Sequence, residues 1–147
     1  MSSSWRTPLH QAAAATFEEL ALLVPIDVLD DEQRAAPLAP GMAVDFEGPF
    51  RGTLEIHVTE NVLPGIAENM LGAFEAPTAE EQRDALGEMC NVITGNVLPL
   101  LAGSTAVFRL HPPRLVAAPS PGAQAAVAFG LDGGRAEVFL RATEAAA

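Results

Sequence analysis

Residues 78–101, TAEEQRDALGEMCNVITGNVLPLL, constrain the fold more than any other stretch, because they read as one long helix with two unlike faces. Thr78 follows Pro77 and stands three residues before Glu81, the spacing at which Thr and Glu cap each other's backbone N–H groups and start a helix. At about 100° per residue, Leu86, Met89, Ile93, Val97 and Leu100 share one side, which predicts the buried face. Asp84, Glu88, Asn91 and Gly95 fall within about 60° of one another on the opposite side. That second stripe holds no Lys or Arg and sets acids, an amide and a glycine in line. A glycine inside a helix costs about 1 kcal/mol relative to alanine, so the space Gly95 leaves should serve something. The plainer reading is a solvated outer face that happens to include an Asn.

The rest of the chain supplies partners for the apolar face. Thr7-Pro8 marks a helix start, with residues 1–6 expected to fray. Leu9, Ala13, Phe17, Leu20 and Val24 then recur at helical spacing until Pro25 ends the run. Residues 26–40, acidic and proline-bearing, read as a loop. Val44 and Phe46, then Leu54, Ile56 and Val58, alternate with polar residues and predict a hairpin turned by Gly48, Pro49 and Gly52. His57 falls on the polar side of its strand and is expected in solvent. A second helix is expected from Glu60 or Asn61 to Leu71, with Ile66 and Met70 inward; Pro64 fits only its first turn and Gly72 stops it. Residues 73–77 link it to the central helix.

After Gly103 the period returns to two. Ala106, Phe108 and Leu110 predict a strand that Pro112-Pro113 either ends or confines to an edge. Residues 117–123 read as a loop, and Val127, Phe129 and Leu131 face Ala136, Val138 and Leu140 across Asp132-Gly133-Gly134 as a closing hairpin. With no βαβ alternation, the expected architecture is α+β: an antiparallel β-sheet with long helices packed on one face, a sandwich forming a single domain over 1–147.

Composition narrows the function classes. At 147 residues and 49% hydrophobic, the chain can bury a sizeable core. A net charge of −11, with the basic residues scattered, argues against nucleic acid and anionic membrane as partners. Cys90 is the only cysteine and cannot form an intrachain disulfide, which fits a reducing compartment. No secretory leader opens the sequence, no stretch approaches the ~20 apolar residues of a membrane span, and a cytoplasmic protein is expected.

Most familiar chemistries are missing. There is no phosphate loop, no GxSxG elbow and no metal-ligand spacing; His10, His57 and His111 stand apart. Cys90 borders the apolar arc of its helix without a cation nearby, so it reads as a small buried hydrophobe rather than a nucleophile. What remains is Glu88 and Asn91, side by side on a helix surface. An Asn cannot act as a base, but its amide can hold a water in a fixed orientation. A carboxylate beside it repels phosphate and can grip a cation such as a partner's lysine. The pair suits completing another protein's active site, and phosphoryl transfer is where positioning a water matters most.

Here the sequence resembles a known family. DALGEMCNVITGN (84–96) is similar to the signature of the CheC/CheX/FliY chemotaxis phosphatases, in which a helix carries Asp, then Glu-x-x-Asn, then Gly. VDFEGPFRGTLEIHVTENVLPGIAENMLG (44–72), FRLHPPRLV (108–116) and the closing hairpin resemble the segments flanking it, so the likeness covers about residues 9 to 141. Members of the CheC type carry two such motifs; this chain has one and resembles the CheX branch.

The resemblance implies a phosphatase acting on the aspartyl phosphate of a CheY-type response regulator. Glu88 would pair with the regulator's active-site lysine, and Asn91 would orient the attacking water. Asp84 and Gly95 would form the docking face. No cofactor is expected on this chain, the Mg²⁺ belonging to the regulator, and a homodimer formed through the sheets is expected. One departure is Pro99, whose ring clashes with the Gly95 carbonyl and would kink the last turn, on the far side of the motif. Two other readings stay open: a module of the same fold that binds a receiver domain or scaffolds a dimer without turnover, and an idle domain with an ordinary polar stripe.

Overall fold

Two hairpins meet through their inner strands to make the sheet. The computed structural model describes residues 2–72 and 75–144. In chain order it contains α1 (Ser2–Glu19), α2 (Asp31–Ala35), β1 (Gly41–Glu47), β2 (Phe50–Val58), a 3₁₀ turn (Glu60–Val62), α3 (Leu63–Leu71) and α4 (Ala79–Ala102). It closes with β3 (Arg109–Leu110), β4 (Arg114–Val116), β5 (Ala125–Leu131) and β6 (Gly134–Glu144). The antiparallel sheet runs β3–β1–β2–β6–β5, with β4 also on β1. The β2–β6 ladder, from Phe50 opposite Glu144 to Val58 opposite Ala136, joins the N-terminal hairpin to the C-terminal one.

One face of this sheet is apolar. Val44, Leu54, Ile56, Val138, Leu140 and Phe129 are all sealed from solvent, and α1 and α4 lie across them with α3 against α4. Leu9, Ala13 and Phe17 of α1 and Leu86, Met89, Ile93 and Val97 of α4 complete the core, as their periodicity requires. Leu100 departs from the expected face and is 49% exposed, while Leu98 is buried in its stead. The buried arc of α4 is wider than a single stripe because α1, α3 and the sheet all pack on it. At 24 residues α4 is long and apolar enough to cross a membrane, contrary to the reading of the sequence, but half of its apolar window is spent inside this core.

Helix boundaries follow tertiary contacts. α1 begins at Ser2, ahead of Pro8, so the expected fraying of the first six residues is not seen from Ser2 onward. Trp5 stacks on Phe50 with ring centroids 5.3 Å apart, and Phe46, Phe50 and Phe108 pack edge to face, closing that end of the core. α1 stops at Glu19, short of Val24: Leu22 turns into the left-handed region (φ 55°), and Ile26 then exchanges two backbone hydrogen bonds with Gly130 of β5. The segment read as a loop holds α2, begun by a capping box between Asp30 and Gln33. The Arg135 guanidinium donates to the carbonyls of Gln33, Arg34 and Ala36, which ties this short helix to β6.

His57 corrects a further expectation. It is fully buried, with its ring 3.0 Å from the Glu55 carboxylate, which also takes hydrogen bonds from Arg141 and the Ser120 N–H. The loop carrying Ser120 and the segment ending at Ala39 cover this part of the outer face, so alternation along β2 does not mark solvent. Gly52 lies within β2 rather than in the turn, beneath the Phe46 ring, where a Cβ would come within 2.7 Å of Phe46 Cζ. Pro112-Pro113 splits the last edge into β3 and β4, both paired to β1; the sequence showed the edge but not β4. α3 has Pro64 in its first turn and Gly72 in the left-handed conformation at its end, as expected. The linker at 73–77 falls partly outside the described residues.

Candidate functional site

α4 is the scaffold of the site. Glu81 N–H donates to Thr78 Oγ1 (3.1 Å) and Thr78 N–H to Glu81 Oε1 (2.9 Å), the reciprocal cap anticipated from the spacing. Glu80 and Glu81 in the first turn also favour the positive end of the helix dipole. On the inner side, the Cys90 thiol lies against the carbonyls of Met42 and Leu54, and Thr94 bonds the Cys90 carbonyl at 2.7 Å. Burial pushes the Cys90 thiol far above its ordinary range, which makes it the inert core residue expected. Gly87, unremarked in the sequence, is buried where α4 crosses β1, and a Cβ there would stand 3.2 Å from Pro113 and 3.3 Å from Met42. A glycine at a closest approach thus sets how near α4 lies to the sheet.

The opposite side of α4 is open. Asp84, Glu88 and Gly95 are exposed and Asn91 is half-buried, so the four residues form the ridge that the helical period implies. Asp84 to Gly95 spans about 16 Å at the helical rise, with Glu88 and Asn91 adjacent in its middle. Among the described residues, no hydrogen bond or ion pair engages the side chains of Asp84, Glu88 or Asn91. Apart from its chain neighbours and the helix's own backbone, nothing among the described residues lies within 4 Å of where a Gly95 Cβ would be. The helix runs on through Pro99 to Ala102, and the ridge lies on the N-terminal side of that proline.

This geometry is a projection rather than a pocket. A groove of about 280 Å³ borders it, lined by Met70, Leu71, Glu81, Asp84, Ala85 and Glu88. Two larger hollows of about 450 Å³ lie elsewhere, one on the outer sheet face around Asp45 and Arg141, the other between residues 37–40 and the start of α4. Among the described residues, no group of three His, Cys, Asp or Glu side chains could hold a metal ion. His10 pairs with Asp27 at 2.8 Å and His111 sits 3.7 Å from Glu47, so neither histidine joins the ridge. An exposed carboxylate beside an amide can grip a cation and orient a water.

A sheet covered on one face by two long helices is the architecture of the CheC- and CheX-like chemotaxis proteins. The family described as chemotaxis phosphatase CheX matches residues 41–128, well over half of the chain, and the chain belongs to that family. No curated protein matches the sequence. Among solved structures, a chemotaxis protein CheX from Desulfovibrio desulfuricans aligns with TM-score 0.74 at 17% identity, covering 95% of this chain and 99% of that one. CheX from Vibrio vulnificus gives 0.74 at 20% identity, covering 97% and 99%. The CheX of a CheX–CheY–BeF₃–Mg complex from Borrelia burgdorferi gives 0.67 at 22% identity, covering 94% and 97%. At such identities these likenesses speak for the fold.

Proposed function

We propose that this protein hydrolyses the aspartyl phosphate of a CheY-type response regulator by inserting the α4 ridge into the regulator's active site. The observation that carries the reading is the ridge itself: Glu88 and Asn91 stand adjacent on the open face of α4 with no partner among the described residues. Glu88 pairs with the regulator's active-site lysine. Asn91 holds the attacking water in line with the phosphoryl group. Asp84 and Gly95 belong to the docking face, Gly95 because its missing side chain lets the other surface come close. The phosphorylated aspartate and the Mg²⁺ are the regulator's, and this chain needs no cofactor of its own. Membership of a phosphatase family and the recorded CheX–CheY complex of a relative support the same reading.

The reaction takes place in the cytoplasm. The working form is a homodimer joined through a sheet edge, and the β3/β4 edge broken by Pro112-Pro113 is the favoured one. Light scattering should then return about twice the chain mass; a value near 15.3 kDa would count against the dimer.

The deciding experiment follows decay of a phosphorylated CheY-type receiver with and without catalytic amounts of the protein. Multiple turnovers per chain are expected. Stoichiometric binding without faster decay would make the protein a docking module, and absence of both would leave the ridge as ordinary surface.

A further inference from the structure

The groove beside the ridge has a composition that the catalytic reading does not use. Its floor is apolar, made by Met70 and Leu71 at the end of α3 and by Ala85 on α4. Leu71 is 51% exposed, whereas Ile66 and Ala67 of the same helix are buried. Its rim carries the carboxylates of Glu81, Asp84 and Glu88, and among the described residues no Lys or Arg lines it. Glu81 is engaged in capping α4, while Asp84 and Glu88 have no internal partner among the described residues. An apolar floor beneath unpaired negative charge favours an apolar side chain carried next to a cationic one.

We propose that this groove is a second docking point for the phosphorylated receiver, holding one apolar side chain whose neighbour is a lysine or arginine. The inference rests on the reading of Glu88 as the group inserted into the receiver. Glu88 is itself one wall of the groove, so a domain seated on Glu88 lies at the edge of the groove. The groove lies aside from Asn91 and the water it would hold, so it contributes to affinity and to the choice of receiver rather than to the chemical step. Charge complementarity also decides against a neutral apolar partner, which would leave Asp84 covered and unpaired.

Leu71→Ser tests this directly, because it removes the apolar floor without placing a charge beside Glu88. The position is exposed, so the variant should fold. Against a CheY-type receiver, KM should rise at least ~10-fold with kcat within about twofold, the mark of lost docking rather than lost chemistry. Titration with the beryllofluoride-activated receiver should show a parallel loss of affinity, and Asp84→Asn a smaller one that shrinks at high salt. Unchanged KM and affinity in both variants, with wild-type turnover intact, would overturn the groove and leave the phosphatase reading standing. A wild type that binds the activated receiver without turnover, with Leu71→Ser abolishing that binding, would do the reverse. No binding by the wild type would end both.

Discussion

Asn91 stands three residues after Glu88 on the open face of α4, one half-buried and the other exposed, and neither side chain has a partner within the described chain. Side chains at this spacing project together, so one docked surface meets both. They should nevertheless fail differently when removed. Asn91→Ala should lower kcat at least ~100-fold, as loss of a positioned nucleophile does, while binding of the activated receiver persists. Glu88→Ala should weaken binding as well as turnover, with little dependence on salt, because a pair closed inside an interface is poorly screened. Rates and affinities for both single variants and the double variant check this; intact turnover in Asn91→Ala would refute the assignment.

Gly95 offers a test that separates stability from docking. Apart from its chain neighbours and the backbone of its own helix, nothing among the described residues lies within 4 Å of a Cβ placed there, and the residue is exposed in the interior of a helix. Gly95→Ala should therefore stabilise the fold by roughly 0.5–1 kcal/mol, seen as a higher midpoint in thermal or urea unfolding. If the vacant space is where the receiver approaches, the same variant should bind the receiver more weakly. A variant that is more stable and equally active would show that nothing uses the space.

Acid should act through the outer face of the sheet. Asp45 is held at about 2 by hydrogen bonds from Arg114 and Thr53, which outweigh its partial burial. For Glu55, burial pushes the carboxyl up, but hydrogen bonds from Ser120, Arg141 and His57 prevail and bring it to about 2. Both values lie below the ordinary 3.8 and 4.5, so the stabilisation is complete above about pH 4.5 and is lost as pH falls toward about 2. Arg141→Ala should move the acid-unfolding midpoint, followed by circular dichroism, to higher pH. A midpoint unaffected by that change would show that Glu55 does not govern acid stability.

Cys90 should be silent in the native state. Its side chain is fully buried and burial disfavours the thiolate, so a thiol reagent should label it only as the protein unfolds. Labelling at the rate of a free thiol under native conditions would contradict the packing of α4.

Local chemistry made the central helix legible. The cap at Thr78 and Glu81, the burial of Leu86, Met89, Ile93 and Val97, and the ridge at Asp84, Glu88, Asn91 and Gly95 all follow from contacts no more than a few turns apart. Both hairpins and the stop at Gly72 were legible for the same reason: turn residues and alternating pattern act between near neighbours in the chain. The pairing of β2 with β6 was not, because it joins residues some eighty to ninety positions apart and no local pattern selects a strand's distant neighbour. That pairing, with the loop at Ser120, is what buries His57 and Glu55; alternation alone had assigned their side of the strand to water. Trp5 of α1 likewise found its partner in Phe50 and Ile26 its partner in Gly130, and Gly87 took its role from Met42 and Pro113, all contacts that exist only after the sheet has formed. The sequence by itself determined that Asp84, Glu88, Asn91 and Gly95 share the outer side of α4. Only the tertiary structure decided that α3 would end beside them and leave Leu71 in a groove next to Glu88, because the spacing between two helices is set by what both pack against.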